Sequence, residues 1–209
     1  MAKTKVIAII GKSGSGKNTI LRQFTDQYPL EQINIIVPFT TRPKRPGEQD
    51  EIDYHFLTTE HAAKLILDGE VAQVVDFRGW LYGTLWDDLK EDKINIGIFN
   101  PKAVDYLNDY VDLDITTVYI IASDKERLLR QLLREEDPDV REIIRRYGTD
   151  DRDFSDLELY LPKVIRINNP TIETPNDNWD ALEIFEYRDK IQIPINQFID
   201  IVERVAKSN

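Results

Sequence analysis

Residues Gly11-Lys12-Ser13-Gly14-Ser15-Gly16-Lys17-Asn18-Thr19 have the types and spacing to hold the phosphates of a nucleoside triphosphate. Glycines let a backbone turn so that its N–H groups face phosphate oxygens. A helix starting at the end of the loop adds the positive end of its dipole, and Lys17 adds a full charge near the β and γ phosphates. Ser13, Gly14, Ser15, Gly16, Lys17, Asn18 and Thr19 are therefore the candidate contacts to the triphosphate. The residue after Lys17 is Asn18, which has no hydroxyl, so a magnesium-binding hydroxyl falls on Thr19. A glycine-rich turn between a strand and a helix can also be purely structural. Here two glycines and a lysine in register favour the phosphate loop.

A second constellation is Thr40-Thr41-Arg42-Pro43-Lys44-Arg45-Pro46-Gly47-Glu48, followed by Asp53-Tyr54-His55-Phe56. Arg42 and Arg45 present planar forks suited to a phosphate. Pro43, Pro46 and Gly47 stiffen the turn that carries them. Tyr54, and further on Tyr82-Gly83-Thr84, supply hydroxyls. Each piece alone reads as a basic turn or a pair of exposed tyrosines; beside a phosphate loop they read as a second anion site.

The elements that must position these residues alternate. Apolar runs predict strands over Lys5 to Ile10, Ile33 to Val37, Ile94 to Phe99, Thr116 to Ala122 and Val164 to Asn168. Helical spacing covers Thr19 to Gln27, Pro101 to Asn108, Asp124 to Glu136, Arg141 to Tyr147 and Ile195 to Ala206. The pattern is that of an α/β protein with a largely parallel sheet. Leu128, Leu129, Leu132 and Leu133 fall at helical spacing and are expected in the core. Tyr54 to Tyr82 reads as a small excursion of short strands around a helix from Thr59 to Leu67. Pro170 to Asp189, rich in Pro, Asn, Asp and Glu, reads as a surface insertion.

Composition narrows the classes. The 209 residues suit one domain with a substantial core, and 41% hydrophobic with 31% charged residues is a globular balance. With no Cys there is no disulfide, thiolate metal site or thiol nucleophile, and two histidines, His55 and His61, make a histidine-built metal centre improbable. No run approaches the ~20 apolar residues that span a bilayer, so a cytoplasmic protein with no membrane partner is expected. The net charge of −11 argues against nucleic acid as a partner, yet basic residues gather at Arg42 to Arg45 and Arg127 to Arg146. A basic cleft in an acidic body suits a small polyanion.

Taken in order, the phosphate loop, Thr-Thr-Arg-x-x-Arg-x-Gly-Glu, Asp-Tyr-x-Phe and Tyr-Gly-Thr resemble guanylate kinase, from the first strand to about Asn169 and patchily after Tyr82. The resemblance implies a phosphate-loop kinase core with a parallel sheet flanked by helices (residues 1–37, 93–133 and 149–209). It implies an inserted small α+β acceptor-binding domain over 38–92 and a helical lid over about 134–148, with 170–190 atypical of the family. It implies ATP with Mg2+, a nucleoside monophosphate acceptor, and an acceptor-phosphate clamp of Arg42, Arg45, Tyr54 and Tyr82, with Thr84 a further pocket contact. On the transferring phosphoryl group it implies Lys17 and the lid arginine Arg146, with Arg134 and Arg130 as further matches, and it places Asn168 near the donor adenine. A homodimer contact and a lid extension are both open readings of 170–189.

Three positions depart from the family. Its guanine-reading Glu falls on Gln73, Pro38 stands where a hydroxyl contacts the base, and Asn100 stands where an Asp lies near acceptor and metal. A carboxylate accepts both guanine N1–H and N2–H2, whereas an amide accepts one and opposes the other, a buried mismatch of about 1–3 kcal/mol. An amide suits an adenine or pyrimidine edge better, so the acceptor is GMP or dGMP or, through these changes, another nucleotide. Glu70 or Asp76 reading guanine after a small register shift is the alternative. Two other functions remain open: a kinase of a sugar phosphate, and a non-catalytic guanylate-kinase-like binding module, against which the retained Lys17 argues.

Overall fold

The computed structural model describes residues 3–45, 47–77, 79–134, 136–157, 161, 163–170 and 181–208, with the helical backbone alone over 181–189. The part of the predicted insertion at 171–180 lies outside them. The chain divides into two units, Met1–Ala8 with Glu31–Thr116, and Ile9–Leu30 with Thr117–Asn209.

The first unit begins with β1 (Thr4–Ile10), an apolar strand whose last five residues are buried. β1 leaves this unit after Ala8. β2 (Ile33–Ile35) and β7 (Ile94–Ile98) pair in parallel, Ile33 opposite Ile94, giving the order β2-β7-β1-β8, where β8 is Leu113–Ile121. α3 (Pro101–Asn108) buries Ala103, Val104 and Leu107. The remaining elements of this unit come from residues 39–88. They are β3 (Phe39–Thr40), β4 (His55–Phe56), α2 (Thr59–Leu67), β5 (Val71–Phe77), β6 (Trp80–Leu85) and a short 3-10 turn at Trp86–Asp88. These strands form a separate sheet in the order β4-β3-β6-β5, in which β5 and β6 are an antiparallel hairpin with Gln73 opposite Thr84. α2 spans the residues its periodicity predicts, opened by the Thr58 hydroxyl accepting from His61 N–H at 3.1 Å.

The second unit takes up β1 at Ile9 and β8 at Thr117, and adds β9 (Val164–Asn168), which pairs in parallel with β8, for the order β1-β8-β9. Its helices are α1 (Lys17–Gln27), α4 (Asp124–Leu133), α5 (Val140–Phe154) and α6 (Ala181–Lys207). Phe24 of α1 meets Phe198 of α6 edge to face, ring centres 5.2 Å apart. α6 extends far N-terminal of the predicted Ile195 start and carries Pro194 inside it. Proline lacks the amide a helix interior needs, yet the helix runs through Pro194, with Pro194, Ile195, Phe198, Ile201 and Val202 all buried.

α4 corrects a second expectation. Leu128, Leu129 and Leu133 are 38%, 40% and 81% exposed and Leu132 is half-buried, whereas Arg127 and Gln131 are 1% and 6% exposed. The leucines are not the buried face. Two polar residues four apart point inward instead: Arg127 donates to Ser13 O in the glycine-rich loop, and Gln131 donates to the Arg127 carbonyl.

Candidate functional site

In the second unit, Gly11 to Lys17 wrap from β1 into α1. Gly14 and Gly16 hold positive φ values of 77° and 96°, which side chains with a Cβ rarely adopt. Space forbids a Cβ as well. At Gly14 it would stand 2.6 Å from the Arg127 carbonyl oxygen, and at Gly16 it would strike Asn169 Nδ2. Among α1 to α5, α1 alone opens without a side-chain cap; Thr58, Asn100, Ser123 and Asp139 cap the other four. The leading N–H groups of α1 are thus left for an external anion.

The loop carbonyls are tied back from behind. Lys17 Nζ donates to Gly11 O at 2.6 Å and Lys12 O at 3.3 Å. Arg127 Nε donates to Ser13 O at 2.9 Å. Arg130 Nη1 reaches Gly14 O and Ser15 O, while its Nη2 reaches Asn169 O and Pro170 O. Asn169 Nδ2 donates to Ser15 O at 2.7 Å. Burial pushes Lys17 down to about 8, with Asp150 pulling it up and Arg127 pushing it further down. Asn18 and Thr19 are exposed on the first turn of α1, and Ser15 is buried with its hydroxyl unpartnered among the described residues.

Sequence reading missed Asp150, Arg127 and Asn169. Asp150 accepts from Ser13 N–H at 2.7 Å and from Arg127 Nη2 at 2.7 Å, and Lys12 pairs with Asp151 at 2.7 Å. Asn168 is exposed at the end of β9, while its neighbour Asn169 reaches the loop. Arg146 and Arg145 share the Glu142 carboxylate, Arg146 Nε at 2.9 Å. Arg134 is exposed at the C-cap of α4.

In the first unit, β3, β4 and β6 gather the second constellation. Arg42 is 7% exposed and forks onto Glu48, Nη1 and Nη2 donating to its two oxygens at 2.7 and 2.6 Å. That pairing raises Arg42 and lowers Glu48 from their ordinary values. The guanidinium also lies 5.0 Å from the Tyr54 ring centre, and Tyr54 meets Tyr82 edge to face at 6.1 Å. Burial raises the Tyr54 hydroxyl. Arg45 contributes its N–H to Glu48, and its guanidinium has no hydrogen bond among the described residues. The sequence showed Glu48 three residues beyond Arg45 but gave no sign that it would take the fork of Arg42.

Gln73 and Thr84 face each other on the hairpin. Gln73 Nε2 donates to Thr84 Oγ1 at 3.1 Å, and Gln73 Oε1 is buried with no partner among the described residues. Glu70, just before β5, and Asp76, near its end, are exposed. Pro38 is half-buried and its carbonyl accepts from His55 N–H. Asn100 is exposed, its Oδ1 accepting from Ala103 N–H at 2.7 Å to cap α3. His55 Nε2 lies 3.5 Å from Asp88, whose carboxyl burial raises, and His61 is exposed.

A glycine-built loop between a parallel strand and an uncapped helix, with a lysine folded onto it, defines the class of phosphate-loop nucleotide-binding proteins. The guanylate kinase family profile matches residues 3–174. A guanylate kinase of Vibrio cholerae is 30% identical over 176 residues, 77% of this chain and 79% of that protein. One of Schizosaccharomyces pombe is 38% identical over 82 residues, 39% of this chain and 40% of the relative. The solved guanylate kinase of Anaplasma phagocytophilum shares the fold at a TM-score of 0.62, covering 100% of this chain and 89% of that one at 16% identity. The chain belongs to the guanylate kinase family, and so to the nucleoside monophosphate kinases, a class of phosphotransferases.

Proposed function

We propose that this protein transfers the γ-phosphoryl group of ATP to a nucleoside monophosphate. The observation that carries the reading is the phosphate loop itself, its carbonyls held back by Lys17, Arg127, Arg130 and Asn169 and its helix left uncapped. Phosphoryl transfer needs positioning and charge neutralisation rather than a general base. Lys17 and the loop N–H groups would hold the β and γ phosphates, and Arg146 and Arg134, on a lid over about 134–148, would neutralise charge on the group in transit. Arg42, Arg45, Tyr54 and Tyr82, in an acceptor-binding insert over 38–92, would hold the acceptor phosphate, with Thr84 beside them. Asn168 would lie near the donor adenine.

Among the described residues no cluster of three or more His, Asp or Glu could hold a metal by itself. Magnesium would therefore arrive on the triphosphate, for which the exposed Thr19 hydroxyl and Asn18 carboxamide are fitting oxygens. Bound there, it would neutralise phosphate charge. Among the described residues no helix is long and apolar enough to cross a membrane, and a cytoplasmic setting suits the substrates.

The acceptor base follows from Gln73. Its amide nitrogen is engaged by Thr84, and its buried Oε1 lacks a donor among the described residues. A base that presents a single N–H there, beside an acceptor rather than a second donor, satisfies it better than guanine does. Exposed Glu70 and Asp76 are less suited to a buried contact. Transfer from ATP should be measured across GMP, dGMP, AMP, dAMP, CMP, dCMP, UMP and dTMP. Adenine or pyrimidine acceptors should match or exceed guanine; exclusive use of GMP or dGMP would return the protein to guanine specificity, and no transfer to any of them would favour the binding-module reading.

A further inference from the structure

We propose that Arg127, braced by Asp150, is a positioning residue for ATP, shaping the phosphate loop from behind without touching substrate. The inference rests on the reading of that loop as the ATP site. Arg127 is 1% exposed and heads the fully buried side chains by volume. A buried guanidinium must be paired, and this one is paired with Asp124 at 2.8 Å and Asp150 at 2.7 Å. Its Nε donates to Ser13 O, and its face covers the Tyr147 ring at 4.7 Å. Each edge of the fork is spent inside the protein.

Asp150 holds the other side of the same residue, accepting from Ser13 N–H. Ser13 is therefore gripped at both its carbonyl and its amide by one ion pair. In a planar trans peptide the carbonyl of one residue and the N–H of the next point in opposite directions. Tying back the carbonyls of Ser13 and Ser15 thus turns the N–H groups of Gly14 and Gly16 the other way. The α4 backbone completes the template, since the Arg127 carbonyl fills the space a Cβ at Gly14 would need.

Stability is a poor account of this arrangement. Buried ion pairs are weak stabilisers compared with apolar packing, and α4 turns Leu128, Leu129 and Leu133 towards solvent while burying Arg127 and Gln131. A helix so oriented sacrifices apolar burial to place a guanidinium behind the loop. Pre-set N–H groups bind an anion without the cost of ordering them first.

The test compares R127M, R127K, D150N and the double variant R127M/D150N with the wild type. It reads the Kd of a fluorescent ATP analogue, KM for ATP and for the best acceptor, kcat, and folding by circular dichroism. R127M should raise Kd and KM for ATP about tenfold or more, the size of one lost charge-assisted hydrogen bond, with KM for the acceptor changing less than about twofold. R127K, which keeps charge but not the fork, should recover part of the loss. D150N should cost less than R127M, and the double variant should match R127M within about twofold, because both residues act through Ser13. An ATP Kd unchanged in folded R127M, or losses that multiply in the double variant, would overturn the proposal. If R127M does not fold, unchanged ATP binding in both R127K and D150N overturns it equally. A wild type that binds no ATP would overturn the functional reading itself, whereas normal ATP binding in the variants overturns only the positioning role.

Discussion

Lys17 sits on the carbonyls of the loop it serves, and its titration has two consequences of opposite sign. Burial holds it at about 8, against an ordinary 10.5. A bound triphosphate needs the ammonium, so ATP affinity should fall as pH rises through about 8, by up to about tenfold per pH unit above it. Folding runs the other way. Between about 8 and 10.5 the unfolded chain binds the proton that the folded chain has released, so this group's contribution to stability rises with pH. Titrating ATP from pH 7 to 9 into wild type and into K17R, which keeps its charge, checks the first effect: the pH dependence should vanish in K17R whatever its absolute affinity. The lysine and its glycines were legible from the sequence because their spacing is local. Arg127 and Asp150 were not, because their roles depend on which face of α4 turns inward, and the leucine spacing there suggested the opposite face. At Gln73 the residue type was legible, but that its oxygen has no partner among the described residues emerged only once Thr84 was placed across the hairpin.

At the scale of elements, caps separate α2 to α5, each closed by a side chain, from α1, whose N-terminus no side chain caps. Asn100 closes the N-terminus of α3 with its own side chain, so N100A should cost about 1 kcal/mol of stability. Thermal melts together with acceptor kinetics check this. A lower Tm with unchanged KM for the acceptor marks the residue as a cap, and a raised KM with unchanged Tm marks it as an acceptor contact. Strand and helix order were largely readable, because α2 and α3 carry period and cap in contiguous residues. The helical pattern read as starting at Ile195, just after a proline whose local preference is to end a helix, whereas α6 begins at Ala181 and runs through Pro194.

For the whole molecule, charge looks at odds with substrate until its distribution is followed. The net charge is −11, yet ATP and a nucleotide are anions. Each unit pairs cations with carboxylates, Arg42 with Glu48 in one, and Lys12 with Asp151, Arg127 with Asp150 and Arg146 with Glu142 in the other, so what is left for an anion is the uncapped N-terminus of α1 beside Lys17, which sits on carbonyls rather than a carboxylate. Binding to the native protein alone should raise stability by about 2.7 kcal/mol at an ATP concentration one hundred times Kd. Thermal shift with increasing ATP should show the rise, and K17A should abolish it. The Arg127–Asp150 pair also sets a limit on engineering. Apolar residues of matching volume there would suit heat resistance, since they remove two charges from the interior. They would also free the loop to relax, so the changes that harden the fold at this point are the ones that blunt its grip on nucleotide. A search for tougher variants by melting temperature alone would be drawn to this point.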